Sequence, residues 1–276
     1  MIVNALTVDV EDWFQVGAFE HAIAREDWDS LEHRVEANTD RVLDLFARTG
    51  VTATFFSLGW VAERYPGLMR RIVDAGHELA SHGWDHQRVF TMGPEQFRAD
   101  LARARAALED AGGTRVTGYR APSFSIDPRT PWAHTILAEE GYRYSSSVAP
   151  VRHDHYGSPE APKGAYRPIA GGNLIELPVT TTRFLGREIT AGGGFFRLLP
   201  GRVTATAVRD ANRADRAAIF YFHPWEIDPG QPRVAGIDAK TKFRHYVNIS
   251  RTEARIAQLL SDLSWGRMDH IFLGRG

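Results

Sequence analysis

Cysteine is absent from all 276 residues, so the chain forms no disulfide and offers no thiolate to a metal. Any metal it binds must sit on His, Asp or Glu. An excess of charge of one sign is also lacking: 33 Lys and Arg face 34 Asp and Glu. Such a balance supplies no surface for a polyanion and excludes nucleic acid as an expected partner. No apolar run reaches the roughly 18 residues of a membrane span. The opening segment Met1-Ile2-Val3-Asn4-Ala5-Leu6-Thr7 lacks the basic stretch and long apolar stretch of a secretion signal. The expectation is a cytoplasmic protein with no membrane segment. What is present is 43% hydrophobic content, enough to bury a large core in a single domain over 1–276.

Along the chain, extended and helical patterns alternate. Ala5 to Val10 reads as a buried strand that runs into Asp9, Glu11 and Asp12. Val35, Val42, Leu45 and Phe46 recur at helical spacing up to Gly50, and Val51 to Phe56 is a β-branched and aromatic strand. Pro66 opens a second helix that closes at Gly76, and Glu78-Leu79-Ala80 leads into Ser81-His82-Gly83-Trp84-Asp85-His86. Pro94 opens a third helix ending near Gly112, followed by a strand from Val116 to Tyr119 with Arg120 at its end. A fourth helix over Pro131 to Glu140 precedes an extended segment from Tyr142 to Val148. His153 to Gly172 reads as a long surface loop, in which His153 and His155 need no function. Ile175 to Thr180 and Ala218 to Phe222 read as late strands, the second ending in His223. Ser250-Arg251-Thr252-Glu253 has the form of a capping box opening a final helix. Strand ends that deliver Asp9, His82, Arg120 and His223 in order predict a (β/α) barrel whose site lies on one rim.

A hydrolytic metal site needs two or three ligands, an open position for water, a base and an acid. His82 and His86 supply two imidazoles, and Glu11 or Asp12 supplies a carboxylate, with strand-end geometry unable to choose between them. Such a set suits Zn²⁺ first, and also Co²⁺, Ni²⁺ or Fe²⁺. Trp84 and Trp225 adjoin these residues and are candidate sugar-stacking walls, as is Trp13. Gly192-Gly193-Gly194 lacks the Lys-Ser or Lys-Thr of a phosphate loop and reads as a turn that lets backbone approach closely.

Taken together, Asp9 with Glu11 and Asp12, the His82/His86 segment, Arg120-Ala121-Pro122 and Phe220-Tyr221-Phe222-His223 resemble the polysaccharide deacetylases of carbohydrate esterase family 4, the NodB-homology group. The resemblance spans Leu6 to about Pro224. It implies a distorted (β/α) barrel of about seven parallel strands, with a C-terminal extension over about 225–276 packed on it. Gly192 to Arg197, His223-Pro224-Trp225-Glu226 and Phe243-Arg244-His245-Tyr246 further resemble a subgroup associated with exopolysaccharide biosynthesis. The implied activity is metal-dependent removal of N-acetyl groups from N-acetylhexosamine residues of a polysaccharide or its precursor. Hydrolysis of another amide or ureide, or glycan binding without turnover, are the alternatives. The implied roles are Asp9 as general base, Arg120 as its partner, His82 and His86 as metal ligands, and His223 as general acid. Three departures stand out. Asp9-Val10-Glu11-Asp12 replaces adjacent aspartates. Ser145-Ser146-Ser147 occupies a segment where an aspartate is common, leaving Glu226 or Asp228 to orient His223. Ser123 follows Pro122 in place of an aromatic, which leaves its backbone N–H free to serve an oxyanion.

Overall fold

In the computed structural model, which describes residues 2–152 and 157–274, eight strands form one parallel sheet. They are β1 (Asn4–Val10), β2 (Thr54–Ser57), β3 (Glu78–Ser81), β4 (Gly118–Tyr119), β5 (Tyr144–Ser145), β6 (Ile175–Glu176), β9 (Ile219–Phe222) and β10 (Trp265–Gly266). Seven run in the order β9-β1-β2-β3-β4-β5-β6, and β10 joins the amino end of β1. The sheet curls as a distorted (β/α) barrel. Its two ends approach each other where Thr180, just past β6, donates its backbone N–H to the Ile219 carbonyl of β9 at 3.2 Å. A two-stranded antiparallel hairpin, β7 (Thr181–Phe184) and β8 (Arg187–Thr190), extends from that seam.

The described helices are α1 (Val35–Thr49), α2 (Gly59–Arg64), α3 (Pro66–Asp74), α4 (Pro94–Gly112), α5 (Ala133–Glu139), α6 (Gly193–Leu198), α7 (Gly201–Arg213), α8 (Ala239–Tyr246), α9 (Ile249–Asp262) and α10 (Met268–Phe272), the last packing Met268 against Ala5, Phe56 and Tyr144 at the amino-terminal end of the sheet. Every residue of β1 is buried, as expected for a parallel strand covered on both faces. α3 and α4 each begin at a proline, whose fixed φ suits a first helical turn. α1 ends at Gly50 and α4 at Gly113, both with left-handed backbone. One expected boundary is corrected. α9 begins at Ile249, so Ser250 and Thr252 already lie inside it; Thr252 Oγ1 bonds the Asn248 carbonyl and Glu253 pairs with Arg41, and no capping box forms. His153 and His155 lie outside the described residues. No described helix is long and apolar enough to cross a membrane.

The amino-terminal edge of the sheet holds a buried carboxyl. Glu78 accepts hydrogen bonds from Thr54 Oγ1 at 2.6 Å, Tyr144 OH at 2.9 Å and the Asp269 backbone N–H at 3.2 Å. Tyr144 reaches it because β4 carries Gly118, where a Cβ would stand 2.1 Å from the tyrosine ring. Burial and the nearby Asp269 carboxylate push Glu78 from its ordinary 4.5 up to about 7. The native carboxyl therefore keeps a proton that the unfolded chain has released, and this residue makes stability fall as pH rises from 4.5 to about 7. Glu78→Gln is expected to flatten that part of the curve. Chemical denaturation at several pH values checks it, and an unchanged slope would refute the assignment.

Candidate metal and hydrolytic site

The parallel ladder continues one residue beyond each strand and sets the rim. His82 N–H donates to the Ser57 carbonyl at 2.9 Å, Arg120 N–H to the Ser81 carbonyl at 2.8 Å, and Ser146 N–H to the Tyr119 carbonyl at 2.8 Å. Each of these residues is thus tied to the last residue of the neighbouring strand. Two loops that follow adopt left-handed backbone at residues other than glycine: His86 (φ 61°), Ser123 (φ 55°) and Phe124 (φ 49°). Such conformations cost about 1–3 kcal/mol each and collect at functional sites. Asp100 of α4 steadies the first loop by accepting from the Trp84 backbone N–H at 3.2 Å.

Asp9 faces the barrel interior, where its Oδ1 accepts from Arg120 Nη1 at 2.7 Å. Arg120 is completely buried. Its Nη1 also donates to Thr7 Oγ1 at 2.7 Å, its Nε to the Ser146 carbonyl at 3.2 Å and its Nη2 to Ser146 Oγ at 2.9 Å, while its Cζ stands 4.2 Å from the Phe56 ring centroid. The serine in the segment that lacks an aspartate therefore holds the arginine.

Among the described residues, one group of histidine and carboxylate side chains converges: Glu11, His82 and His86, all buried, offer ligand atoms within 4.8 Å of one another. His82 Nδ1 lies 2.8 Å from the Arg120 carbonyl, which fixes the ring with Nδ1–H donating and Nε2 free. Burial lowers His82 to about 4, so it is neutral, the form that ligates metal. Burial pushes Glu11 up, but the charges of His86 and His223 outweigh it and hold the carboxylate well below its usual range. Glu11 Oε1 accepts from Trp225 Nε1 at 3.0 Å. Its Oε2 is buried and lies 2.8 Å from His86 Nε2, yet has no hydrogen bond. A buried carboxylate oxygen converging with two imidazoles is the donor set a divalent cation takes, so the residues fit a metal.

The alternatives left open by the sequence divide cleanly. Asp12 is not in this group. Its Oδ1 accepts from the Trp13 N–H at 2.8 Å, and its Oδ2 from the N–H groups of Arg34 and Val35 at 2.7 and 3.0 Å, so it caps the start of α1. The chain stays open past β1 and turns only between Asp12 and Gln15, which leaves Glu11 on the site. Asp228 binds Arg34 and Asn38 and does not reach His223. Glu226 does: its Oε2 lies 3.1 Å from His223 Nδ1 and accepts the His223 backbone N–H at 3.0 Å. His223 Nε2 points back to the site, 3.7 Å from Glu11 Oε1 and 3.9 Å from Asp9 Oδ2. Burial disfavours its charge, but Glu11 and Glu226 overcome this and raise it to about 9. Pairing Glu11 with a cation removes the first of those attractions.

The tryptophans are corrected. Trp225 is buried between two imidazoles, with ring centroids 5.2 Å from His223 and 4.4 Å from His245, so no face is left for a sugar. Trp84 is buried beneath the Arg103 guanidinium, whose Cζ lies 3.4 Å from its ring centroid. Trp13 is buried with Nε1–H on the Glu32 carbonyl. Sequence reasoning also missed Thr7, Ser146, Arg197 and His245. The last two lay inside quoted motifs, and the signal was there: Arg197 Nε donates to Glu226 Oε1 at 2.6 Å and its Nη1 to the His245 carbonyl, so three separated motifs form one cluster. Gly192 and Gly193 let it form, since a Cβ on Gly192 would stand 2.4 Å from the Tyr221 carbonyl oxygen and Gly193 has φ +54°.

Residues 27–145 match the family model described as polysaccharide deacetylase, and residues 146–273 match one described as a domain of unknown function, DUF3473. A peptidoglycan deacetylase from Helicobacter pylori is 33% identical over 113 residues, covering 41% of this chain and 38% of that protein. The chain spans between 19% and 38% of the lengths of the first curated relatives it matches. Among solved structures, a Mycobacterium smegmatis protein assigned to the polysaccharide deacetylases aligns with a TM-score of 0.57 at 22% identity, over 96% of this chain and 92% of that one. A family 4 carbohydrate esterase from Streptomyces lividans, solved with acetate, aligns with a TM-score of 0.52 at 18% identity, over 99% and 96%. The fold and the matched spans agree: residues 27–145 carry the polysaccharide deacetylase match, continued over 146–273 by the DUF3473 match, on a fold like that of the solved family 4 carbohydrate esterase.

Proposed function

We propose that this protein is a metal-dependent N-deacetylase acting on N-acetylhexosamine residues of a polysaccharide or its precursor, with exopolysaccharide the favoured class. The observation that carries the reading is the meeting of Asp9 and His223 at the edge of the Glu11, His82 and His86 group, with His223 Nε2 within 4 Å of both acids. A divalent cation held there, Zn²⁺ first, supplies Lewis acidity toward water and the acetamide carbonyl. Asp9 Oδ2, the oxygen not bonded to Arg120, takes the proton of the attacking water. Arg120 holds the other oxygen and so aims the free one. His223 Nε2–H gives its proton to the departing nitrogen as the C–N bond breaks, leaving acetate and a free amine. The whole chain acts as one catalytic unit, because Asp9 and Glu11 precede the deacetylase span, His82, His86 and Arg120 lie in it, and His223 lies in DUF3473.

Acetate release from oligomers of N-acetylglucosamine tests the reading. The expected result is turnover with Zn²⁺ or Co²⁺, loss after chelation, and recovery on adding the metal back. Metal-loaded protein that releases no acetate from any N-acetylated glycan would overturn it.

A further inference from the structure

We infer that the segment from Arg197 to His245, within the domain of unknown function, is the positioning half of the hydrolytic site: Glu226, clamped by Arg197, fixes His223, and Trp225 fixes Glu11. The inference rests on the function proposed above and assigns a task to residues whose family model carries none.

The geometry is specific. Glu226 Oε2 receives both the backbone N–H and the ring Nδ1 of His223, at 3.0 and 3.1 Å, so the residue is held at two points by one atom. A carboxylate at Nδ1 selects the Nδ1–H tautomer and stabilises the imidazolium, leaving Nε2 as the atom that gives and takes the catalytic proton. The other oxygen, Oε1, accepts from Arg197 Nε at 2.6 Å. Arg197 is itself pinned, since its Nη1 donates to the His245 carbonyl and its own carbonyl accepts from Asn248 Nδ2 at 2.8 Å and Arg255 Nη1 at 2.9 Å. Glu226 is fully buried and Arg197 nearly so. A buried ion pair is poor evidence of stabilisation, because desolvation offsets most of its attraction, so its value here lies in fixing one geometry. Trp225 completes the device. Its ring stacks at 20° on His223 and at 10° on His245, and its Nε1–H donates to Glu11 Oε1 at 3.0 Å, which turns Oε2 toward the two histidines. A hydrogen-bonded ligand of this kind supports metal affinity by holding the carboxylate in its binding orientation.

A purely structural role and a positioning role separate by leaving group. Cleaving an acetamide puts the electron pair of the C–N bond on nitrogen, which needs the His223 proton. Cleaving 4-nitrophenyl acetate puts the pair on a phenolate oxygen, which leaves without one. Glu226→Gln is expected to lower kcat on an N-acetylglucosamine oligomer by on the order of 10²-fold. The same substitution should lower aryl ester turnover by less than about threefold, because only proton donation is impaired. Equal losses on both substrates would overturn the positioning role of Glu226. Trp225→Phe keeps the aromatic stack and removes only the donor, and Zn²⁺ titration against a chelating dye is expected to show affinity weaker by roughly 10–100-fold. Unchanged affinity would overturn the role of Trp225. This readout needs no turnover, so it decides the role of Trp225 even where wild-type protein fails to release acetate and the proposed function itself falls.

Discussion

Asparagine in place of Asp9 is expected to lower acetate release by on the order of 10²–10⁴-fold, the usual contribution of a general base. The substitution preserves size, and the Asn carbonyl oxygen can still accept from Arg120 Nη1, the contact Asp9 Oδ1 now makes at 2.7 Å. What is lost is the basic oxygen that faces His223 Nε2. Metal binding should persist, because the converging ligand atoms belong to Glu11, His82 and His86. The check is kcat on an N-acetylated oligosaccharide, with zinc content measured on the same preparation. Turnover near that of wild type, with metal bound, would remove Asp9 from the mechanism.

The second large effect concerns stability. Arg120→Met is expected to destabilise the protein by about 3–5 kcal/mol, because it leaves the buried Asp9 carboxylate without its cation. It also strips donors from Thr7 Oγ1 and from both the carbonyl and the hydroxyl of Ser146. For a chain of this size the loss corresponds to a fall in Tm on the order of 10 °C. Combining it with Asp9→Asn should recover part of the loss, since the double variant carries no unpaired buried charge, and the non-additivity measures the pair. A Tm shift of only a degree or two for Arg120→Met would show that the pair contributes nothing net. Arg120→Lys is not a conservative alternative. One ammonium cannot serve Thr7, Asp9 and two atoms of Ser146 in the fork geometry a guanidinium provides.

Much of the barrel is legible in the sequence because its signals are local. Pro66 and Pro94 open helices, Gly50 and Gly113 close them, and β2 and β9 are rich in β-branched and aromatic residues. The later part of the chain was harder. α7 buries Thr204, Ala205, Ala207, Val208 and Ala211, a face of small residues with no Leu, Ile or aromatic side chain to mark it. The hairpin of β7 and β8 is mostly half-buried or exposed, and its Leu185-Gly186 tip is a turn the pattern did not reveal. α9 was placed well, but its start was read from residues that pair with Asn248 and Arg41 instead of capping.

The sequence by itself determined the chemistry available and the rim that carries it. No cysteine meant ligands of nitrogen and oxygen only, and regular strand-helix alternation put Asp9, His82, Arg120 and His223 at the same ends of parallel strands. Tertiary structure alone chose among near neighbours. Glu11 and Asp12 are adjacent, yet one turns to two histidines and the other to the first N–H groups of α1. Glu226 and Asp228 are two residues apart, yet one holds His223 and the other holds Arg34. Trp225, which read as a sugar wall, became the donor to Glu11 once His223 and His245 covered its faces. The physical reason is common to all three. Periodicity fixes which strand end a residue occupies, whereas the partner of a buried polar group depends on which distant donor or acceptor the fold brings within about 3 Å.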